Sequence, residues 1–294
     1  MIIYFEGVVI VISKNDVILD NEDIEIQLFL EAIFQKYDYD FRDYSRAHIK
    51  RRILSKKVRD NFSSISEMQH RVIYDELFFL EMLSEFSINV TEMFRDPEFF
   101  LYFRKEVVPY LMTYPRLKIW HAGCSTGEEV YSMAILLKEE GLLERCQIYA
   151  TDFNEKVLKK AEEGIFSMES IKDYTRNYIE AGGKKDFSDY YIAKYESAII
   201  NQSLKKHIMF NEHNLVVDQV FGEMNVIICR NVLIYFNKEL QNKVLNLFDE
   251  SLPKGGILCL GSKETLKNSN TMINFEVYDE MSKVYRKKFQ GLNL

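Results

Sequence analysis

Two glutamates follow a loop of small residues in Ala122-Gly-Cys-Ser-Thr-Gly-Glu-Glu129. A β-rich run, Leu117–Trp120, leads into the loop, and a helical run, Tyr131–Leu137, leads out of it. Such a strand–glycine loop–helix start is where α/β proteins hold ligands, because small residues let the backbone come close. A phosphate loop would want cations or free helix N–H groups. Glu128 and Glu129 repel phosphate and favour hydroxyls or positive charge. The dinucleotide pattern G-x-G-x-x-G is absent, since Gly123 and Gly127 stand four apart. A nucleoside without phosphate fits better. S-adenosylmethionine is one, with a sulfonium, an ammonium and a ribose diol.

Three further groups of residues have chemical potential. Asp152 closes the run Tyr149-Ala-Thr-Asp152. In doubly wound folds an acid about 20 or more positions after the glycine loop hydrogen-bonds a ribose diol. An N-cap for the following helix is the plainer role. Asn89, Thr91 and Arg95 bring polar side chains into an otherwise apolar linker. Arg95 suits a carboxylate clamp with Asn89 and Thr91 orienting it; helix capping by Thr91 and a surface Arg95–Asp96 pair fit equally. Cys229-Arg-Asn-Val-Leu-Ile-Tyr-Phe236 ends an apolar run. Polar residues at the carboxyl end of a central strand face the ligand crevice. Arg230 there is costly unless paired, and Tyr235 faces a reacting group or sits in the core with its hydroxyl satisfied. His121, His207 and His213 lack metal-ligand spacing, so no metal is expected, and no Ser/His/Asp or Cys/His constellation can be assembled.

The elements that must position these residues follow from periodicity. From Asp23 to about Phe86 apolar residues recur at helical spacing (Ile26, Phe29, Leu30, Ile33; Leu77, Leu80, Leu83), and neither Gly nor Pro interrupts them. This predicts a small helical bundle. Pro97 and Pro109 bracket an aromatic helix, Glu98–Val108. After Pro115 the rhythm turns β–α–β. Strands are predicted at Leu117–Trp120, Gln147–Thr151, His207–Asn211, Val226–Cys229 and Ile257–Leu260. Helices are predicted at Glu129–Glu139, Glu155–Glu163 and Lys238–Ser251. The alternation implies a parallel, doubly wound sheet, closed by a hairpin of Phe275–Val277 with Lys283–Tyr285. The stretch 166–206 is long for a connection and reads as an inserted β-subdomain, with strands at Tyr190–Tyr195 and Ala198–Gln202. In the first 22 residues a hairpin of Val8–Ile12 with Val17–Leu19 is predicted; this extension lacks a basic leader and is too short to span a bilayer. The expected organisation is an extension (1–22), a helical domain (23–86) and a catalytic domain (87–294) whose linker, 87–97, reaches the ligand site.

With 294 residues and 47% hydrophobic content the chain supports a sizeable core. The net charge of −7 opposes bulk binding to nucleic acid or anionic membrane. Four cysteines without a C-x-x-C pair read as reduced core thiols of a cytoplasmic protein. Only Arg42–Arg59 is strongly basic. Arg46, Lys50 and Lys57 share one helical stripe, and Arg52, Lys56 and Arg59 another. A solvated helix is the bland reading, and a docking face for an acidic partner the sharper one.

Together these motifs resemble the chemoreceptor glutamate methyltransferase family, CheR, over about residues 23–288. The resemblance rests on Tyr44-Ser-Arg-Ala-His-Ile-Lys-Arg-Arg-Ile53, Ile88-Asn-Val-Thr-Glu-Met-Phe-Arg-Asp-Pro97, Ala122–Glu129, Ala150-Thr-Asp152, Asn214-Leu215 and Cys229–Phe236. It implies a helical receptor-docking domain followed by a Rossmann-like class I S-adenosylmethionine-dependent methyltransferase domain with an inserted antiparallel β-subdomain. It also implies roles. Asn89, Thr91 and Arg95 would contact the methionine portion of the cofactor, Ala122 and Glu128 would line the glycine loop, and Asp152 would hold the ribose. Asn214, Leu215, Arg230 and Asn231 would surround the adenosine and methyl region. Arg230 would steer an incoming carboxylate and Tyr235 would orient it. Docking would use Arg46, Lys50, Arg52, Lys56 and Lys57 against an acidic helical receptor surface. The implied reaction gives a γ-glutamyl methyl ester and S-adenosylhomocysteine. Apart from the resemblance, the charge speaks against a nucleic-acid partner, and nothing in the sequence demands more than a monomer.

The chain departs from the family pattern in places. Met93 stands where the family usually has an aromatic, and Val130 where it usually has proline. Gly261-Ser-Lys-Glu264 replaces Gly-His-Ser-Glu. A short, glycine-free turn at Glu196-Ser197 leads to the expectation of receptor recognition without a C-terminal tether. The competing readings are a methyltransferase of another signalling pathway, a cofactor-binding module without catalysis, and, more distantly, an RNA methyltransferase.

Overall fold

The computed structural model describes residues 2–5, 8–11, 20–87 and 91–289, the first two stretches as backbone alone. They form two compact units. One comprises the described residues up to Arg42 together with Ala47–Glu85; the other comprises Asp43–Arg46 and the described residues from Phe86 onward.

The first unit opens with an antiparallel hairpin of β1 (Ile2–Phe5) and β2 (Val8–Val11), in the register Ile2↔Val11. The strand beginning at Val8 thus pairs with Ile2–Phe5. Only Glu6 and Gly7 separate the two strands in the sequence, a loop short enough to close at little entropic cost. Val17–Leu19 lie outside the described residues. Four helices follow: α1 (Asn21–Tyr37), α2 (Arg46–Arg59), α3 (Ile65–Tyr74) and α4 (Glu76–Phe86). Asp20 caps α1 by accepting the Asp23 N–H at 2.7 Å, and Ile26, Phe29, Leu30 and Ile33 form its buried face. Ser64 caps α3 through the Glu67 N–H, while the Glu67 carboxylate reaches back to the Ser63 N–H, so two orphan donors at one helix start are satisfied.

The second unit begins with a helix that changes pitch. It runs through α5 (Pro97–Tyr102), a π-helical turn (Phe103–Val107) and α6 (Val108–Leu111). Pro109 has no N–H to give and its ring crowds the preceding turn, which the wider π turn accommodates. The sheet strands are β3 (Leu117–Ala122), β4 (Cys146–Asp152), β8 (Ile208–Glu212), β9 (Val226–Cys229), β10 (Ile257–Leu260), β11 (Phe275–Asp279) and β12 (Val284–Lys287). Their order is β11-β12-β10-β9-β3-β4-β8. The five from β10 to β8 run parallel, and β12 is antiparallel to both its neighbours. The crossover helices are α7 (Glu128–Glu139), α8 (Glu155–Glu163) and α11 (Lys238–Ser251). All four residues of β9 and of β10 are buried, which is why they read as unbroken apolar runs. Strand order reverses between β3 and β9, and such a switch point opens a crevice at the carboxyl ends of the strands.

The predicted insertion is a separate three-stranded antiparallel sheet, ordered β5-β7-β6. It contains β5 (Ile165–Ser167), α9 (Met168–Glu180), β6 (Tyr191–Lys194), β7 (Ser197–Ile200) and the short α10 (Gln202–Lys205). β5 carries too few residues to show periodicity in the sequence. A buried ionic cluster anchors this sheet to α7. Arg104, in the π turn, pairs with Glu139 at 2.7 Å and Glu140 at 2.5 Å, and the Tyr178 and Tyr190 hydroxyls donate to Glu139.

Candidate active site

The glycine loop leaves β3 and turns back over the end of β4. The Gly123 and Cys124 N–H groups both donate to the Thr151 carbonyl at 2.8 Å. Gly123 has φ +77°, and a side chain there would meet Val232 at 2.6 Å, so only glycine fits. The Ser125 N–H donates to one Asp152 oxygen and the Asn154 N–H to the other, each at 3.0 Å. Asp152 is 8% exposed. Burial pushes its carboxyl up to about 6, against the pull of those N–H donors.

Beyond Asp152 the chain supplies the next wall. The His213 N–H donates to the Asp152 carbonyl, and the Asn214 side chain accepts the Val216 N–H, which folds Leu215 and Val216 over the crevice. From the other side of the switch point comes Arg230. Its side chain is 1% exposed, with Nη2 at 2.6 Å from Asp96 and Nη1 at 2.7 Å from Glu129. Nη1 also donates to the Arg95 carbonyl, and the guanidinium lies 4.2 Å over the Phe99 ring. Burial opposes ionisation of Glu129, yet Arg230 and His121 outweigh it and hold that carboxyl below the usual range. The fork thus ties the linker, α7 and β9 into one network. In the linker, Phe94 and Asp96 have φ of 53° and 55°, a strain that surrounding contacts must hold. The Phe94 N–H donates to Ser132.

Tyr235 ends a 3₁₀ turn, Leu233–Tyr235. Its carbonyl accepts the Ser45 N–H at 2.7 Å, and the next residue, Phe236, forms a β-bridge with Tyr44. The Tyr44 and Phe236 rings meet edge to face, 5.0 Å apart. A strand-like strap, Asp43–Ser45, therefore braces this turn.

The resulting crevice encloses about 970 Å³, solvent at its mouth included. Thr91, Arg95, Asp152, Asn214, Leu215, Arg230, Asn231 and Tyr235 all line it. Asn89 lies outside the described residues. Ala122 and Glu128 are not among the lining residues. Glu128 instead accepts from Thr126 at 2.7 Å, and burial raises its carboxyl pKa. The glutamate of the adjacent pair that lines the crevice is Glu129, where the resemblance points to Glu128. Tyr44, Phe86 and Phe153 add aromatic walls that no spacing rule pointed to. Met93 and Val130 are fully buried in the apolar core, so their departures from the family pattern stay apolar.

The donor set suits a nucleoside. A buried carboxylate faces the site from the end of β4, and aromatic and aliphatic walls flank it. Arg230 Nε and His213 Nδ1 are buried without a protein partner, polar atoms for which a native fold is expected to provide a bond. Residues 89–281 match the model of the CheR methyltransferase SAM-binding domain, and residues 24–87 match that of the CheR all-alpha domain. The chain belongs to the CheR methyltransferase family. Its cofactor is S-adenosylmethionine. Among CheR relatives, it is 52% identical over 267 residues to an inferred methyltransferase, Cher3, of Pseudomonas putida, covering 91% of this chain and 98% of that one. It is 31% identical over 242 residues to a chemotaxis protein methyltransferase of Listeria innocua (82% and 89% covered). It is 30% identical over 237 residues to chemotaxis protein methyltransferase 1 of Vibrio cholerae (76% and 82% covered).

The basic helix α2 offers less free charge than its sequence suggested. Lys56 is 5% exposed and pairs with Asp60 and Glu81. Lys50 pairs with Glu22 and Asp23, and Arg52 and Lys57 are half-buried. Arg46 and Arg51 are exposed. No helix among the described residues is long and apolar enough to cross a membrane, and no metal-binding cluster occurs among them.

Proposed function

We propose that this CheR-family enzyme transfers a methyl group to glutamate side chains of a methyl-accepting chemoreceptor, giving γ-glutamyl methyl esters. One observation carries the reading. The carboxylates in and beside the crevice are already engaged: Asp152 by two N–H groups, Glu129 by Arg230 and His121, Glu264 by backbone N–H groups. A site so arranged suits an acceptor that needs no proton removed. A glutamate is such an acceptor, being ionised at neutral pH.

When bound, the cofactor supplies an electrophilic methyl on a sulfonium. The chain's residues then have positioning work. Asp152 takes the hydrogen bonds of a ribose diol. Arg230, locked by Asp96 and Glu129, fixes the linker that carries Thr91 and Arg95. Tyr235 orients the incoming carboxylate, and the aromatic walls exclude water, which favours neutralisation of anion against cation. Arg230, with its fork committed to two carboxylates, serves as a positioning residue more than a steering one. The exposed Arg46 and Arg51 of α2 offer an acidic receptor helix its first contact. The homologues named for chemotaxis support this substrate class.

The test is methylation of a receptor cytoplasmic domain with methyl-labelled cofactor. Label released as methanol by mild base, and lost when receptor glutamates become glutamine, is the expected result. Base-stable label, or label on RNA, would reject the proposal.

A further inference from the structure

The loop after β10 departs from the family pattern at Ser262 and Lys263, and both are exposed. Glu264, the residue that keeps the pattern, is 5% exposed and does something specific. Its Oε2 accepts the Gly261 N–H at 2.6 Å and the Asn231 N–H at 3.0 Å. Its Oε1 accepts the Val232 N–H at 2.9 Å and the Ile234 N–H at 3.3 Å. Three of these four donors belong to the turn between β9 and Tyr235. Leu260 pairs with Cys229 at the ends of parallel β10 and β9, so the two loops leave the sheet side by side. Gly261 permits the close approach, because a side chain there would come within 2.7 Å of Glu264 Oε2 and 2.8 Å of the Asn231 nitrogen. Asn231 itself is held at φ +62°, a left-handed conformation that costs energy outside glycine.

We propose that Glu264 is a positioning residue for the cofactor site: by gathering the N–H groups of Asn231, Val232 and Ile234 it holds Asn231 left-handed and sets where Asn231 and Tyr235 stand in the crevice. The proposal rests on the crevice being the S-adenosylmethionine site. A buried carboxylate that receives four N–H bonds cannot be matched by an amide, whose NH₂ group would face two of the donors. Burial pushes the Glu264 carboxyl up, and the four donors pull against it without overcoming it.

The experiment is titration of the full chain with S-adenosylhomocysteine, with thermal unfolding of each variant as the check on folding. Wild type, Glu264→Gln, Asn231→Ala and the double variant complete a cycle. Glu264→Gln is expected to weaken binding at least tenfold, about 1.4 kcal/mol. In the Asn231→Ala background its further effect is expected to shrink below about threefold, because the two act as one. A purely structural glutamate would lower the unfolding temperature equally in both backgrounds and leave the two losses of affinity additive. Additive losses, or Glu264→Gln affinity within twofold of wild type, overturn the proposal. Should Glu264→Gln not fold, Gly261→Ala keeps the carboxylate but wedges it from Asn231, and the same tenfold loss is expected; unchanged affinity there overturns the proposal. Wild type that does not bind S-adenosylhomocysteine overturns the cofactor site itself, an outcome distinct from both.

Discussion

Replacing Asp152 by asparagine is expected to stabilise the chain while weakening cofactor binding. The ionised carboxylate is buried, and its pKa rises from 3.8 to about 6. At about 1.36 kcal/mol per pH unit, keeping it ionised at pH 7.5 costs the fold roughly 3 kcal/mol. Asparagine removes that cost. It keeps one oxygen to accept the Ser125 or Asn154 N–H but leaves the other donor unmet, at about 1–2 kcal/mol. The net gain is about 1 kcal/mol, an unfolding-temperature rise of roughly 2–4 °C for a domain of this size. The sign of the pH dependence follows. A carboxyl raised in the folded state contributes stability that is fully present below 3.8 and lost as pH rises through about 6. At pH 5 the cost is about half, so the variant's advantage should vanish there. The ribose loses a charge-assisted acceptor, so S-adenosylhomocysteine affinity should fall about tenfold or more. Thermal unfolding at pH 5 and 7.5, with titration at 7.5, reads all three. A variant destabilised equally at both pH values, or one that binds as tightly as wild type, would refute the reasoning.

Arg230→Lys retains the charge but not the fork between Asp96 and Glu129. It should lose roughly 3 kcal/mol of stability, measured by denaturant unfolding, with cofactor affinity falling alongside; a loss under about 1 kcal/mol would mean the network is dispensable. Tyr235→Phe should lower turnover at least tenfold and leave S-adenosylhomocysteine affinity within twofold; unchanged turnover would make the tyrosine packing. Reversing the exposed Arg46 and Arg51 to glutamate should raise the KM for receptor severalfold without moving cofactor affinity, and the effect should weaken in high salt. Equal receptor kinetics would remove α2 from the docking surface.

Much of the fold was legible in the residues. The five parallel strands and their helices followed from unbroken apolar runs separated by helical periods, since central strands buried on both faces must be apolar throughout. The insertion was legible as a stretch too long for a crossover, but its third strand, Ile165–Ser167, was too short to carry a pattern. The strand Ile2–Phe5, which pairs with Val8–Val11, was not legible, because it read as apolar without reading as a strand.

The site divides along the same line. Sequence by itself determined that a strand-ending acid, a glycine loop and an Arg-Asn…Tyr turn would meet at one crevice, because in a parallel sheet all carboxyl ends lie on one edge. It also carried the family pattern that names the cofactor. Only the tertiary structure decided which glutamate of the adjacent pair faces Arg230, that Lys56 is buried, and that Glu264 holds the Asn231 turn. These depend on contacts between residues far apart in the chain, such as Asp96 with Arg230 and Glu264 with Asn231. A linear pattern records residue type and local period. It does not record which buried charge finds which partner, and burial makes that pairing energetically decisive.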